Sequence, residues 1–155
     1  MSRLLSVLRA TLRVVDVTTR EVEAIPRENL RVPRDEFVAV WAEAERLCDQ
    51  ARPGEGWYVV GVAGTCRWIA GATVVFDYPH GPRARGAAAP ITHRRARAHE
   101  ELIDAECLAA ERQAIRHPQG IEGEPGWLEA VVATLSWVWR GSGVPPLDVR
   151  PAATG

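Results

Sequence analysis

Apolar residues follow one another almost without interruption from 57 to 76, with a single charge at Arg67. The sequence there is WYVVGVAGTCRWIAGATVVF. With helical period, four residues fall on one face: Gly61, Gly64, Trp68 and Gly71. Glycine costs about 1 kcal/mol relative to alanine inside a helix, so glycines on one face indicate that another backbone approaches closely. The pattern predicts a buried central helix.

Two other structures fit the same stretch. Its β-branched residues also suit two buried strands, WYVVGV and WIAGATVVF, joined at 63–65. Its length of about 20 residues suits a transmembrane helix. Arg67 near the centre would then cost about 2.5–3.5 kcal/mol, so we expect no transmembrane span. Periodicity alone does not separate a buried helix from two buried strands, so these two interpretations both stay open.

Arg67 needs a partner if it is buried, because an unpaired charge inside a protein is unfavourable. The candidate partners are Glu43, Asp104 and Glu129, each on another predicted helix. Alternatively, the aliphatic part of the side chain is buried and its guanidinium group reaches solvent. No motif around Arg67 supports anion binding, and we interpret it as a structural buried charge.

Two further segments have a regular helical pattern. Residues 34–51 carry apolar side chains at i, i+3, i+4 and i+7 after Pro33, with acidic residues in the first turn. Residues 126–140 form a second apolar helix, which contains three tryptophans: Trp127, Trp137 and Trp139. Tryptophan is enriched at protein interfaces. These three residues are therefore the candidate partner-binding anchors.

Glycines and prolines recur in residues 77–92, which we interpret as a flexible loop. A helix over 93–115 follows, and its regular part is expected to begin nearer His99 because arginines oppose the dipole at a helix start. Five arginines lie between positions 83 and 97: Arg83, Arg85, Arg94, Arg95 and Arg97. They can neutralise phosphates, but no aromatic residues are interleaved with them for base stacking.

The N-terminal residues 3–15 form an amphipathic pattern, with leucines on one face and three arginines opposite. Such a helix can lie on an anionic membrane surface or dock on a partner. We favour the other interpretation of this pattern, a first core helix with solvated arginines. We treat residues 1–32 as an N-terminal arm and residues 142–155 as an extended tail.

Composition narrows the function classes only slightly. The formal net charge of −1 gives no global attraction to nucleic acid or anionic membranes. All 19 basic residues are arginine, which a coding bias explains as easily as phosphate binding does. The three cysteines, an odd number without paired spacing, argue against a disulfide framework.

Acid–base or metal chemistry has one candidate segment, His99-Glu100-Glu101 with Asp104. It lacks the second histidine of HExxH, and no ExxH pair occurs. We expect no metal and no cofactor. The chain is more easily interpreted as a non-enzymatic protein than as an enzyme.

The sequence predicts a single all-α domain, an antiparallel bundle of about four helices at 34–51, 56–75, 93–115 and 126–140. The alternative is an α+β fold with strands from the N-terminal region and 57–76. We expect a cytoplasmic interaction or assembly module that binds another protein or itself. Nucleic-acid association through the arginines at 83–97 is the first alternative. A small enzyme near His99 is the second.

Overall fold

The computed structural model describes residues 17–149. Within that range the chain forms α1 (Thr19–Glu23), a 3-10 turn (Arg27–Asn29), α2 (Arg34–Gln50), α3 (Trp57–Ala70), β1 (Thr73–Tyr78), β2 (Gly81–Gly86), α4 (Glu100–Arg116) and α5 (Trp127–Val138). The two strands form an antiparallel sheet. The fold is mixed α+β, so the all-α prediction is wrong and the alternative class fits.

The predicted central helix is observed as α3, which packs against α2 on one side and α5 on the other. α4 packs on α5. The middle of α3 is almost completely buried, including Val62, Cys66 and Ile69. A helix that is apolar on nearly all sides has no solvent face, and this explains its place between two other helices.

Gly61 is where the backbones of α3 and α5 meet. A Cβ atom at Gly61 would lie 2.7 Å from the carbonyl oxygen of Trp127 and 2.8 Å from Cβ of Ala130. At Gly64 no atom would lie within 4 Å of such a Cβ. Of these two glycines, only Gly61 therefore permits the close approach of α5 that the glycine pattern indicated.

The predicted helix boundary at 75 is wrong, because α3 ends at Ala70 and is capped by Gly71. This residue has φ of +68°, a left-handed conformation that glycine adopts without steric cost. The N–H of Ala72 then donates to the carbonyl of Arg67 at 2.9 Å, which closes the helix end. The β-branched residues that follow continue as strand β1.

The hairpin β1–β2 corrects the prediction of an irregular loop over 77–92. Pro79 and His80 make a two-residue connection, and Tyr78 pairs with Gly81 directly after it. Pro82 in β2 lacks an N–H, but both strands of a two-stranded sheet are edge strands and edges tolerate proline. The same glycines and prolines that indicated a loop are therefore compatible with a hairpin. The alternative interpretation placed strands within 57–76, and of that stretch only residues 73–76 belong to an observed strand, β1.

The described part of the N-terminal arm is joined to the core. Ile25 and Asn29 are buried, and Nδ2 of Asn29 donates to the carbonyls of Ile69 at 2.9 Å and Ala98 at 3.0 Å. Residues 17–32 contain helical turns and are not extended from the domain. The predicted membrane-binding segment 3–15 lies outside the described residues.

The beginning of the predicted tail also contacts the domain. The hydroxyl of Tyr58 donates to the carbonyl of Pro146 at 2.9 Å, and Leu147 and Val149 pack on the core. In the described part of the chain, no helix has the length and apolar character needed to cross a membrane.

Arg67 forms a bidentate ion pair with Glu45, a partner that the sequence analysis did not consider. Its Nε and Nη2 atoms each lie 2.6 Å from a carboxylate oxygen of Glu45, and Nε1 of Trp41 donates to the same carboxylate at 3.1 Å. Glu45 shares a face of α2 with Trp41, four residues earlier, and this face is directed at α3. Only 20% of the Arg67 side chain is exposed, so it does not extend into solvent.

The three proposed partners of Arg67 have other neighbours. Glu43 pairs with Arg46 on the outer side of α2. Asp104 accepts a hydrogen bond from Nε1 of Trp139, and Glu129 lies against Gly120. Sequence could not separate Glu43 from Glu45, because that choice depends on the rotation of α2 about its axis.

Replacement of Gly61 by alanine is expected to lower the free energy of unfolding by about 1–3 kcal/mol, because the added methyl group meets the backbone of α5. Gly64→Ala is the matched control. It should leave stability unchanged or raise it by up to about 1 kcal/mol through helix propensity. Urea denaturation followed by circular dichroism measures both. Equal losses in the two variants would contradict the close contact at Gly61.

The Arg67→Met variant is expected to lose about 3 kcal/mol of unfolding free energy, since it leaves the buried Glu45 carboxylate without its counter-ion. The double variant Glu45→Gln/Arg67→Met should recover part of that loss, because no buried charge remains and Gln still accepts from Trp41. Breaking the exposed Glu43–Arg46 pair should have little effect. A double variant as unstable as the single one would refute this explanation. Urea denaturation again provides the measurement.

Candidate functional site

The strand register places aromatic and arginine side chains on one face of the hairpin. Arg83 pairs with Phe76, and Arg85 pairs with Val74. Residues that are directly opposite in an antiparallel pair lie on the same face, as do alternate residues of one strand. We call the face that carries Phe76, Tyr78, Arg83 and Arg85 the ribbon face.

The side chains of the ribbon face contact one another. The rings of Phe76 and Tyr78 have centroids 6.3 Å apart at an interplanar angle of 48°. The guanidinium carbon of Arg85 lies 5.8 Å from the centroid of Tyr78, within the range of a cation–π interaction. Tyr78 is 40% exposed, and both arginines are exposed. The face therefore offers aromatic and cationic groups together to solvent.

The acidic residue of the hairpin lies on the other face. Asp77 pairs with Pro82, one position out of step with the arginine pairs. Because the side chains alternate along a strand, Asp77 points away from Arg83 and Arg85. The hairpin thus separates its positive and negative charges between two faces.

The remaining arginines of the predicted cluster are divided. Arg97 packs beside the start of the hairpin, with Nε 3.1 Å from where a Cβ of Gly71 would be, and its Nη2 lies 3.5 Å from the carbonyl of Ala24. Arg94 and Arg95 are exposed in the connection that leads to α4. The ribbon face brings together only two of the five predicted residues.

Two of the three predicted tryptophan anchors belong to the core. Trp137 is 4% and Trp139 is 6% exposed. Nε1 of Trp139 donates to Asp104 at 2.5 Å, and the guanidinium of Arg31 lies 4.2 Å from its ring. These indoles offer little surface to a partner. Trp127, in contrast, is partly exposed and lines a cavity.

The cavity at Trp127 has a volume of about 370 Å³, within the usual range of small-molecule sites. Trp57 and Trp127, the first residues of α3 and α5, form two of its walls. Three polar residues join them: His93, Gln113 and Glu124. We call this cavity the indole pocket.

A buried carboxylate holds the loop that carries His93. Glu106 on α4 is 1% exposed and accepts hydrogen bonds from the N–H of Ile91 at 2.5 Å, the N–H of Thr92 at 3.0 Å and the Thr92 hydroxyl at 2.8 Å. The N–H of His93 donates to the carbonyl of Ala89 at 3.0 Å. His93 has φ of 60°, an uncommon left-handed conformation.

These contacts explain why α4 begins at Glu100 and not at residue 93. The amide and hydroxyl of Thr92 donate to Glu106 and do not cap a helix. The left-handed His93 cannot belong to a helix. The chain therefore completes a separate turn before α4 starts.

Glu124 is the one carboxylate among the described residues that line the indole pocket. Burial raises its pKa above the ordinary value, and the nearby His93 opposes that change. Among residues 17–149 no hydrogen bond or ion pair reaches this carboxylate. An acidic group in such surroundings is available for a polar or charged ligand.

The acid–base candidates do not form one site. His99 precedes α4 and lines a separate cavity beside Arg97, whereas the Asp104 carboxylate is bound by Trp139. Glu100 is exposed in the first turn of α4. Over residues 17–149 no group of three or more His, Cys, Asp or Glu residues comes close enough to hold a metal ion.

The sequence analysis missed Phe76, Tyr78 and Glu124. The alternation of Val74, Phe76 and Tyr78 before a two-residue turn was a signal of the hairpin. It was hidden because these residues were joined to the apolar run that precedes them. Glu124 gave no signal, since it lies between glycines in a segment without periodicity.

No protein-family model, no curated protein and no solved structure matches the chain.

The Glu106→Ala variant is expected to lose about 2–3 kcal/mol of unfolding free energy, because hydrogen bonds to a charged acceptor are lost in a buried position. Glu111→Ala on the exposed side of α4 is the control, and it should change stability by less than about 1 kcal/mol. Hydrogen exchange at Ile91 and Thr92 should accelerate only in Glu106→Ala. Unchanged exchange at these amides would show that Glu106 does not hold the loop.

Proposed function

We propose that this protein is a nucleic-acid-associated protein that binds a single strand on the ribbon face. The observation that supports this function is the pairing of Phe76 with Arg83 beside the exposed Tyr78. Proteins that bind single strands combine cationic side chains for the phosphates with aromatic rings on which bases stack. The ribbon face has both groups.

Single-stranded nucleic acid suits this face better than a duplex does. A flexible strand can place a base on the exposed ring of Tyr78 while adjacent phosphates reach Arg83 and Arg85. Bases in a duplex are already stacked on one another and expose only their edges. The small net charge of −1 also favours a local contact with few phosphates over a wide electrostatic surface.

The protein-interaction function expected from the sequence has lost part of its support. It depended on three tryptophans, of which Trp137 and Trp139 are enclosed by the core. Association with another protein or with a second copy stays a prediction. The nucleic-acid function depends on Tyr78, Arg83 and Arg85, which are exposed, and on the half-buried Phe76.

Replacement of both Arg83 and Arg85 by alanine is expected to weaken binding of a labelled oligothymidine or oligouridine in fluorescence anisotropy. A plot of log affinity against log salt concentration has a negative slope, and this slope should become less steep by about 0.7 for each phosphate contact that is lost. The double variant Arg20→Ala/Arg52→Ala is the control, because it removes the same charge from α1 and from the α2–α3 connection. An equal loss in this control would show that net charge alone governs binding.

The Tyr78→Ala variant tests stacking separately from charge within the same experiment. Loss of one base–aromatic contact weakens binding by about 1–3 kcal/mol, whereas Tyr78→Phe keeps the ring and should bind as the unmodified protein does. A duplex of the same length should bind more weakly than the single strand. If neither oligothymidine nor oligouridine binds saturably at low salt, the proposed function is refuted.

A further inference from the structure

The indole pocket contains a carboxylate, Glu124, that has no counter-ion in close contact among residues 17–149. Glu124 lies in the short turn between α4 and α5, where Ile121 and Glu124 form an isolated bridge. This bridge, together with a hydrogen bond from the Trp127 N–H to the Glu124 carbonyl at 3.2 Å, fixes the backbone of Glu124 next to the first turn of α5. The carboxylate therefore has a defined place at the pocket wall.

Two sets of contacts hold the walls of the pocket. Gly61 joins α3 to α5 by direct backbone contact, and this contact sets the separation of Trp57 and Trp127. Glu106 holds the loop of Ile91 and His93 against α4. Because each wall is held by buried contacts, the cavity is pre-formed and a ligand would not have to order it.

Indole rings next to a carboxylate are chemically suited to an organic cation. The face of an aromatic ring attracts positive charge, and tryptophan does so most strongly. A carboxylate in a partly apolar site gains more from a cation than it would in water, because the local dielectric constant is lower. The volume of about 370 Å³ accommodates a small molecule and not a folded segment of protein.

We propose that the indole pocket binds a small organic ammonium cation between Trp57 and Trp127, with Glu124 as its counter-ion. This site is separate from the ribbon face, and the inference goes beyond the proposed nucleic-acid function. His93 is positioned to compete, since its protonated form would itself be a cation beside Glu124.

Choline serves as the cationic probe. The control probe is the neutral alcohol of the same shape, in which a carbon atom replaces the choline nitrogen. Titration of each into the full chain is followed by the indole N–H signals in a proton–nitrogen correlation spectrum. Choline should shift the signals of Trp57 and Trp127, which Trp→Phe variants assign. The indole of Trp139, held by Asp104, should not move. The uncharged probe should bind roughly tenfold more weakly or worse.

Glu124→Gln is expected to reduce choline affinity roughly tenfold or more, because it removes the charge and keeps the shape of the side chain. Glu122→Gln is the matched control, since it makes the same change at an exposed position of the same turn. Equal affinity of Glu124→Gln and the unmodified protein would overturn the proposal. Shifts of the same two indoles by acetate and not by choline would also overturn it, because the first turns of two helices attract anions.

A pH series provides a further readout. Choline binding needs the ionised carboxylate, so affinity should fall as the pH decreases through the pKa of Glu124. Burial raises that pKa, and the fall should therefore begin at higher pH than for an exposed glutamate. The His93→Gln variant removes the competing imidazolium, so that the remaining pH dependence belongs to Glu124. Affinity that stays constant during acidification of this variant would exclude Glu124 as the counter-ion.

Discussion

The backbones of α3 and α5 meet at Gly61, and this contact sets the distance between the two helices. A glycine is needed there because the carbonyl of Trp127 occupies the space of a Cβ atom. The short distance brings the buried residues of both helices into one core. It also places the first residues of the two helices, Trp57 and Trp127, on either side of a single cavity.

Charge inside this fold is placed where a partner compensates it. Glu45 and Arg67 neutralise each other between α2 and α3, and Trp41 completes the hydrogen bonding of the carboxylate. Glu106 is satisfied by the backbone and hydroxyl of a loop. Glu124 differs from both, since among residues 17–149 its carboxylate accepts no hydrogen bond and forms no ion pair, although the nearby His93 lowers its pKa. That difference distinguishes a site available to a ligand from charges that hold the fold together.

Both proposed binding sites combine aromatic rings with charged side chains, but the charges have opposite sign and the geometries differ. On the hairpin, arginines and aromatic rings share an exposed face, which suits an extended anionic strand. In the indole pocket, aromatic rings and a carboxylate surround a cavity, which suits a compact cation. The hairpin turn brings residues that are close in the sequence onto one face, whereas the indole pocket joins residues that are far apart in the sequence.

Much of the helical framework could be predicted from the sequence. The apolar stripe of residues 34–51 predicted α2 to within one residue, and the apolar runs predicted α3 and α5 as buried helices. The charge of Arg67 required a partner if the side chain was buried, but none of the three candidates named from the sequence is the observed partner, Glu45. These features depend on local periodicity and on the solvation of single groups, and the sequence contains both directly.

Tertiary structure decided the features on which the sites depend. The register of β1 and β2 brought Phe76 beside Arg83, and register depends on pairing between strands that no local pattern specifies completely. The rotation of α2 selected Glu45 over Glu43 as the partner of Arg67. Packing enclosed Trp137 and Trp139 but left Trp127 at a cavity, although all three had looked alike in the sequence. Side-chain chemistry and helical period are local properties, whereas exposure and proximity arise only when the elements pack.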